Sequence, residues 1–584
     1  MIRLLPAFAI LLSPPLLLAA KPNVVVILAD DQGWGDLGLH GNTNLKTPHL
    51  DSIGTQGARF QRFYVEPVCS PTRAEFLTGR YHLRGGVINV SKGGERLNLD
   101  ESTIAEAFQK AGYATGCFGK WHNGSQYPYH PLGRGFEEYY GFTHGHWADY
   151  FDAPLDHNGT DTKGKGFIAD DLTARGIEYI DAQTKAGKPF FAYFAFNTPH
   201  SPMQVPDEYW KRFEKADLKL RGEGKEDIAH TRAALAMVEN LDDNVGKILA
   251  ELKKRKIDDN TIVVYFSDNG PNGNRWNGGM GGIKGSVLEG GVRSPLHIRW
   301  NGKIPAGKLI EPVAAAIDLM PTLLGLTGVE RAGTKPLDGK DLSAWLTGEA
   351  PASTDRVLFQ HWNGNIAARN QTFRMVANGN KLYDIANDPK QQSDVSAKFP
   401  EVAKQLADAI EAWKKDVLAG QPKGDTRPYP VGYAQFPRTV LPARDGINSG
   451  GIERSANAPN CSYFTHWTKP TDRMTWPIEV AEAGRYDVIV QYTCPEADLG
   501  SMIEFAVGDR KITGTISKAF DSPLRGKNLD RTPRKGESYM KDFQPLNLGT
   551  LELPKGKAVL SLSAPKVAKS AVADVLAVEL ILKK

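Results

Sequence analysis

Cysteine is scarce: the 584 residues contain four, too few for a disulfide framework to hold an exported chain of this size together. An excess of one charge is also missing. The 71 basic and 67 acidic residues leave a net charge of +4, which excludes bulk electrostatic binding to nucleic acid. Beyond the amino terminus no uninterrupted apolar run is long enough to span a bilayer. No internal repeat or long low-complexity tract interrupts the chain. The composition is that of a soluble globular protein with length for about three to four domains.

The amino terminus begins Met1-Ile2-Arg3, continues apolar through residues 4–18 with a Ser13-Pro14-Pro15 break, and ends Leu18-Ala19-Ala20. A basic start, a short apolar core and small terminal residues predict a secretory signal over residues 1–20. The mature protein is then exported, to a periplasm or outside the cell, with no membrane span left. Residues 22–29 already read as a core strand, with no spacer after the apolar run. Of the cysteines, Cys117 lies in an apolar run as a small core residue. Cys461 and Cys494 could form one bridge in an oxidising compartment, if their separation allows it.

The first part of the chain alternates strands and helices. Residues 24–29, 114–118, 190–196 and 262–266 are apolar runs suited to strands buried on both faces. Residues 47–57 and 100–112 carry helix starts and stops. Each strand runs into a polar cluster: Asp30-Asp31, then Lys120 and His122, then Asn197 and His200, then Asp268-Asn269. Ligands of open parallel sheets bind beyond the carboxyl ends of the strands, so four strands deliver acids, bases and cations to one edge. Short strands near 357–361 and 373–376 and an amphipathic helix with Val402, Leu406, Ile410 and Trp413 form a smaller unit. A breaker-rich linker follows, then alternating strand patterns that predict an all-β sandwich.

Cys69 precedes Ser70 and Pro71, residue types that open helices as N-cap and first-turn proline. That places its side chain where amide N–H groups and the helix dipole favour an anion, with Arg73 adding a cation in the first turn. Asp30, Asp31, Asp268 and Asn269 offer hard oxygen ligands without histidine or thiolate, a set suited to calcium or magnesium and not zinc.

The run C-S-P-T-R at residues 69–73, continuing A-E-F-L-T-G-R to Arg80, resembles the formylglycine-dependent sulfatases of the alkaline phosphatase superfamily. A-D-D-Q-G-W-G-D, G-K-W-H at 119–122, T-P-H-S-P at 198–202, S-D-N-G, and G-I-K-G-S at 282–286 followed by E-G-G-V-R match further motifs of that family. The resemblance covers roughly residues 22–418. It implies that Cys69 is converted to formylglycine by a formylglycine-generating or sulfatase-maturating enzyme, and that one hydroxyl of the hydrated aldehyde attacks sulfur. It also implies a calcium ion (magnesium less so) on Asp30, Asp31, Asp268, Asn269 and residue 69. Arg73, Lys120 and Lys284 would hold the sulfate oxygens, His200 would protonate the leaving alcohol, and His122 would act as the base that expels sulfate from the covalent intermediate. The implied fold is α/β: an alkaline-phosphatase-like mixed sheet sandwiched by helices over residues 21–354, a small antiparallel α+β subdomain over 355–420, a linker over 421–440 and a C-terminal all-β sandwich over 441–584, loosely like a carbohydrate-binding module.

The substrate implied is a sulfated carbohydrate. Candidates to contact it are His144, His146, Trp147 and Asp149 in an aromatic stretch, Arg275 and Trp276 beside a motif loop, and His361 and Trp362 in the smaller subdomain. In the sandwich, Tyr463, Phe464, Trp467 and Trp476 either form a sugar platform or fill the core. Two alternatives stay open: a phosphoester or phosphonate hydrolase of the same superfamily, and an inactive sugar-binding protein on the same scaffold.

Overall fold

Residues 24–28 of the first strand, three valines followed by isoleucine and leucine, have no room for water on either side of a sheet, and the fold uses them that way. In the computed structural model, which describes residues 21–222, 224–351 and 353–583, every residue of the strand Asn23–Ala29 is buried. The secretory signal expected over residues 1–20 lies outside the described residues. Side chains alternate across a strand. Val25, Ile27 and Ala29 therefore pack under the helices Pro48–Thr55, Ile168–Lys185 and Ile228–Lys254, while Val24, Val26 and Leu28 pack under Cys69–Thr78, Ile104–Lys110 and Leu319–Thr327. Burying each such aliphatic side chain contributes roughly 1.5–3 kcal/mol.

Five parallel strands make the centre of a ten-stranded sheet, in the order Thr261–Ser267, Asn23–Ala29, Phe190–Ala195, Ala114–Lys120, Glu138–Phe142. Leu296–Arg299 adds antiparallel to Thr261–Ser267, and the hairpin Pro154–His157/Thr160–Lys163 extends the other edge. Parallel strands joined by crossover helices all point their carboxyl ends the same way. The fold is thus the expected alkaline-phosphatase-like α/β arrangement.

A four-stranded antiparallel sheet, Leu358–Trp362, Asn365–Arg369, Phe373–Val376 and Lys381–Asp384, packs under the helix Pro400–Trp413 through Leu406, Ile410 and Trp413. Two six-stranded sheets then face each other across one core. One strand falls inside the stretch expected to be linker and a second crosses its end: Tyr429–Val431 pairs with Arg473–Val480, and Arg438–Pro442 pairs with Asp574–Leu582. The sandwich therefore starts before residue 441, because Tyr429 and Val431 bury their side chains in its core despite the intervening proline. Trp467 and Trp476 are 1% and 0% exposed, Phe464 is fully buried and Tyr463 nearly so. They fill the core and its edge, and no sugar platform exists there. Cys461 and Cys494 are free thiols, not a bridge; Cys461 Sγ lies 3.1 Å from the His146 carbonyl oxygen. Among the described residues no helix is long and apolar enough to cross a membrane.

Candidate active site

Sheet register builds the centre. Ala29 pairs with Ser267, so the next residues, Asp30 and Asp268, leave adjacent strands side by side. Asp31 turns into the left-handed region at φ 64°, a conformation that aspartate tolerates better than most residues. Its N–H donates to Asp268 Oδ1 at 3.2 Å, and Asn269 Nδ2 donates to Asp31 Oδ1 at 2.8 Å.

The cysteine helix meets this pair from the side. It starts at Cys69 itself, with Val68 as N-cap, two residues earlier than the Ser-Pro pair suggests. All ten of its residues are buried, so no amphipathic pattern marks its limits. Thr72 Oγ1 donates to the Asp268 carbonyl at 2.6 Å. Arg73, wholly buried, donates to Asp268 Oδ2 from Nε and Nη2 at 3.2 and 2.9 Å and to the Lys120 carbonyl at 2.6 Å. Its Nη2 lies 3.5 Å from Asp30 Oδ2, which also accepts from Lys120 Nζ. Lys284 Nζ sits 2.7 and 2.9 Å from the two oxygens of Asp31, and His200 Nε2 is 3.6 Å from Asp31 Oδ2.

Three carboxylates thus face three fixed cations. Burial alone works to raise the Asp30 pKa, but Lys120 and His200 outweigh it and hold it below the ordinary aspartate value. Asp31 behaves alike, with Lys284 and His200 overcoming burial. Asp268 goes the other way, pushed up to about 7 by burial and by Asp30. Since charge is balanced, repulsion among the aspartates does not by itself demand a metal. Two orphaned acceptors make the stronger case: Asp30 Oδ1 and Asn269 Oδ1 are buried without a hydrogen-bond partner, a costly state unless something else binds them. Ligand atoms of Asp30, Cys69 and Asp268 lie within 4.8 Å of one another, as do those of Asp30, Asp31 and His200. An oxygen-rich group with unused lone pairs fits a hard divalent cation.

The two histidines differ in which nitrogen is free. His200 Nδ1 donates to the Ser201 carbonyl at 2.7 Å, which leaves Nε2 toward Asp31. His122, at φ 63°, donates from Nε2 to the Val90 carbonyl at 2.8 Å, leaving a buried, unpartnered Nδ1 as the acceptor. Burial and Lys284 lower the His200 pKa; burial and Lys120 lower that of His122 further. Burial also raises the pKa of the Cys69 thiol, which disfavours the thiolate, the nucleophilic form.

Comparison with known proteins now decides the family, since the pattern described as Sulfatase matches residues 22–329, over half the chain. The chain belongs to the sulfatase family. It is a sulfuric ester hydrolase of the alkaline phosphatase superfamily. N-acetylgalactosamine-6-sulfatase of Canis lupus familiaris is 30% identical over 386 residues, 59% of this chain and 70% of that protein. Arylsulfatase G of Rattus norvegicus is 30% identical over 441 residues, 64% and 79% of the two chains. The structure of Ps i-CgsB in complex with k-i-k-neocarrahexaose superposes with a TM-score of 0.63 at 31% identity, over 70% of this chain and 95% of that one.

Other residues singled out in the sequence are dispersed around this sulfatase centre. His146 approaches it, 5.6 Å from His200 between ring centroids. Its neighbours His144, Trp147 and Asp149 instead line a cavity of about 410 Å³ between the catalytic sheet and the sandwich, where Asp149 pairs with Arg525 at 3.0 Å. Arg275 grips Asp36 with Nε and Nη2 and bonds the Asp31 carbonyl at 2.8 Å, bracing the aspartate loop from behind. Trp276 lies against the turn at Gly35 and Gly41. His361 stacks on His82 at 6.0 Å, and Trp362 ends the strand beside it.

Residues from the sandwich reach the centre without having been anticipated. A Cβ at Gly145 would lie 2.3 Å from His122 Nε2 and 3.0 Å from Asn460 Nδ2, so Gly145 sits against both side chains. Ser201 Oγ donates to Glu537. The one usable signal was the long strandless connection from Arg510–Thr515 to Gln544–Leu553, a length that inside a compact domain points to function.

Behind the cysteine helix, Glu66 shares a hydrogen bond with Glu75, and burial pushes Glu66 up to about 8 from 4.5 and Glu75 well above it. A raised carboxyl stabilises the fold fully below its unfolded pKa, and that contribution is lost as pH rises through the folded value. The unfolding temperature of wild type is therefore expected to fall between pH 5 and 9 more steeply than that of Glu66→Gln, a difference on the order of a few kcal/mol. Parallel thermal-melt profiles for the two proteins would refute this.

Proposed function

We propose that this sulfatase is exported and removes sulfate esters from carbohydrate, using a formylglycine made from Cys69 by a maturating enzyme and a calcium ion held by Asp30, Asp31, Asp268 and Asn269. The observation that carries the reading is the gathering of three carboxylates and three cations beside the first residue of one buried helix, with His200 against Asp31. The amino-terminal run of residues 1–20 supports export. The sugar reading is supported by relatives whose names and bound ligands are sulfated or sugar-chain chemistry.

Hydrated formylglycine supplies one hydroxyl to attack sulfur and a second through which the aldehyde re-forms. Calcium supplies charge to offset oxygens on which negative charge builds. The rest falls to the chain. Lys284 and His200 are 20% and 12% exposed, whereas Arg73, Lys120 and the aspartates are sealed off. The ester therefore arrives on the Lys284–His200 side, with Lys284 free to leave Asp31 for a sulfate oxygen. Lys120 and Arg73 fix the carboxylates and present a cationic wall. His200 Nε2, once protonated beside the incoming anion, gives its proton to the alcohol; His122 Nδ1 receives one from residue 69.

The tryptic peptide of residues 63–73 is expected to have lost sulfur and gained an aldehyde; full activity in protein with only the thiol defeats the mechanism. Metal analysis after dialysis is expected to find about one alkaline-earth ion per chain, and zinc in its place defeats the calcium assignment. Sulfate release from galactose and N-acetylgalactosamine sulfates and carrageenan oligosaccharides, beside nitrophenyl sulfate and nitrophenyl phosphate, tests the substrate. Faster phosphate than sulfate release would favour a phosphoester hydrolase.

A further inference from the structure

A cavity of about 280 Å³ opens beside His200 and Lys284, at the small end of the roughly 300–1,000 Å³ usual for ligand pockets. Two of its lining residues, Ser201 and Ile283, are the chain neighbours of His200 and Lys284. The catalytic α/β domain supplies one side through Ser201, His230, Asn272 and Asn274. The opposite side, residues 532–537, comes from the sandwich and lies outside the stretch that matches the family.

That wall is fastened, not draped. Arg531 N–H donates to the Met203 carbonyl at 2.8 Å and its guanidinium to the Val205 carbonyl at 2.8 Å. Gln204 Nε2 donates to Asp530 at 2.8 Å, Arg534 Nη2 to the Ala148 carbonyl at 2.8 Å, and Lys535 pairs with Asp227 at 3.3 Å. Arg534 is also paired with Asp530 at 2.9 Å, so its charge is already matched. Glu537 is half-buried on the cavity wall and accepts from Ser201 Oγ. A carboxylate has lone pairs for several donors, and this one stands next to the residue that faces the leaving alcohol.

We propose that residues 530–539 of the sandwich complete the subsite for the alcohol side of the ester, with Glu537 as a specificity-determining acceptor for hydroxyl groups of the sugar that carries the scissile sulfate. This deepens the carbohydrate reading above and rests on it. A carboxylate disfavours a second anionic group at its own position, so the ring seated there is one that presents neutral hydroxyls to Glu537. Asn272, Asn274 and His230 offer the complementary polar wall. Hydrogen-bonded hydroxyl recognition discriminates strongly because a ligand without the group leaves buried partners unpaired.

Glu537 also touches Ser201, so a rate effect alone would not separate sugar binding from positioning of His200. The test is therefore inhibition of nitrophenyl sulfate hydrolysis by the desulfated sugar product of whichever member of the sulfate panel wild type cleaves. Glu537→Gln and Glu537→Ala are expected to raise the product inhibition constant by about tenfold or more, and Asn274→Ala, on the facing wall, to raise it in the same direction. Inhibition constants within about twofold of wild type in both Glu537 variants, whatever happens to kcat, would overturn the assignment. Should Glu537→Ala fold poorly by thermal melt, the near-isosteric Gln variant and Asn274→Ala decide. If wild type hydrolyses nitrophenyl sulfate but no sugar sulfate, the carbohydrate reading fails and the subsite with it. If wild type cleaves a sugar sulfate and the constants stay put, only the subsite fails.

Discussion

Cys69→Ala is expected to release sulfate roughly 10⁵- to 10⁶-fold more slowly than wild type, the scale seen when the nucleophile of a covalent mechanism is removed. Cys69→Ser separates attack from release. Its hydroxyl sits at the start of the same buried helix, among Lys120, Lys284 and the aspartates, and can take sulfate from the ester while the alcohol departs. It then has no second hydroxyl to collapse through, so the expected result is at most one alcohol released per chain and a sulfated serine visible by mass. Burial raises the pKa of an unconverted Cys69 thiol and so disfavours the thiolate; protein made without a maturating enzyme is expected to be as inactive as the alanine variant. Sustained turnover by Cys69→Ser at more than about 1% of the wild-type rate would refute the need for two hydroxyls on residue 69.

Legibility in the sequence followed the physics of each element. The central strands were plain because parallel strands buried on both faces read as unbroken apolar runs, and the polar residues that end them mark where water and ligand return. Asp30, Lys120, His200 and Asp268 were legible as one edge because parallel strands share a direction. The start of the helix at Cys69 was not, since a helix buried all round has no polar face to fix its phase. In the sandwich, Trp476 occupies the same phase as Met474, Ile478 and Val480, and that alternation points it inward. Asn460 and Glu537 lie on connections, whose positions are set by docking against the catalytic sheet and leave no period in the sequence. His144 and His146 flank a glycine and turn to opposite sides, one to the interdomain cavity and one to His200, a division that composition alone cannot reveal.

The two histidines are expected to fail differently. His200→Ala should slow a sugar sulfate by about 10²- to 10⁴-fold, the usual worth of a general acid, while costing an activated nitrophenyl sulfate far less. A sugar alkoxide is a poor leaving group and needs the proton; a nitrophenolate departs without it. The geometry supports this division, because His200 is the histidine on the solvent-reached side with Lys284, where the alcohol must lie. His122 is wholly buried, anchored through Nε2 to Val90, and keeps only Nδ1 for proton transfer. Its loss should slow a step that comes after the alcohol has gone, so His122→Ala should depress all substrates to a common slow rate and let sulfated protein accumulate. Steady-state kinetics of both variants on one sugar sulfate and on nitrophenyl sulfate, with mass analysis of quenched enzyme, read the two effects together. Equal leaving-group sensitivity in both variants, or sulfated protein trapped by His200→Ala and not by His122→Ala, would reverse the assignment. The Gly145→Ala variant adds a check on the same histidine: a methyl group 2.3 Å from His122 Nε2 must push the ring or the loop aside, and its kinetic pattern is expected to resemble that of His122→Ala, with sugar sulfate and nitrophenyl sulfate slowed toward one common rate.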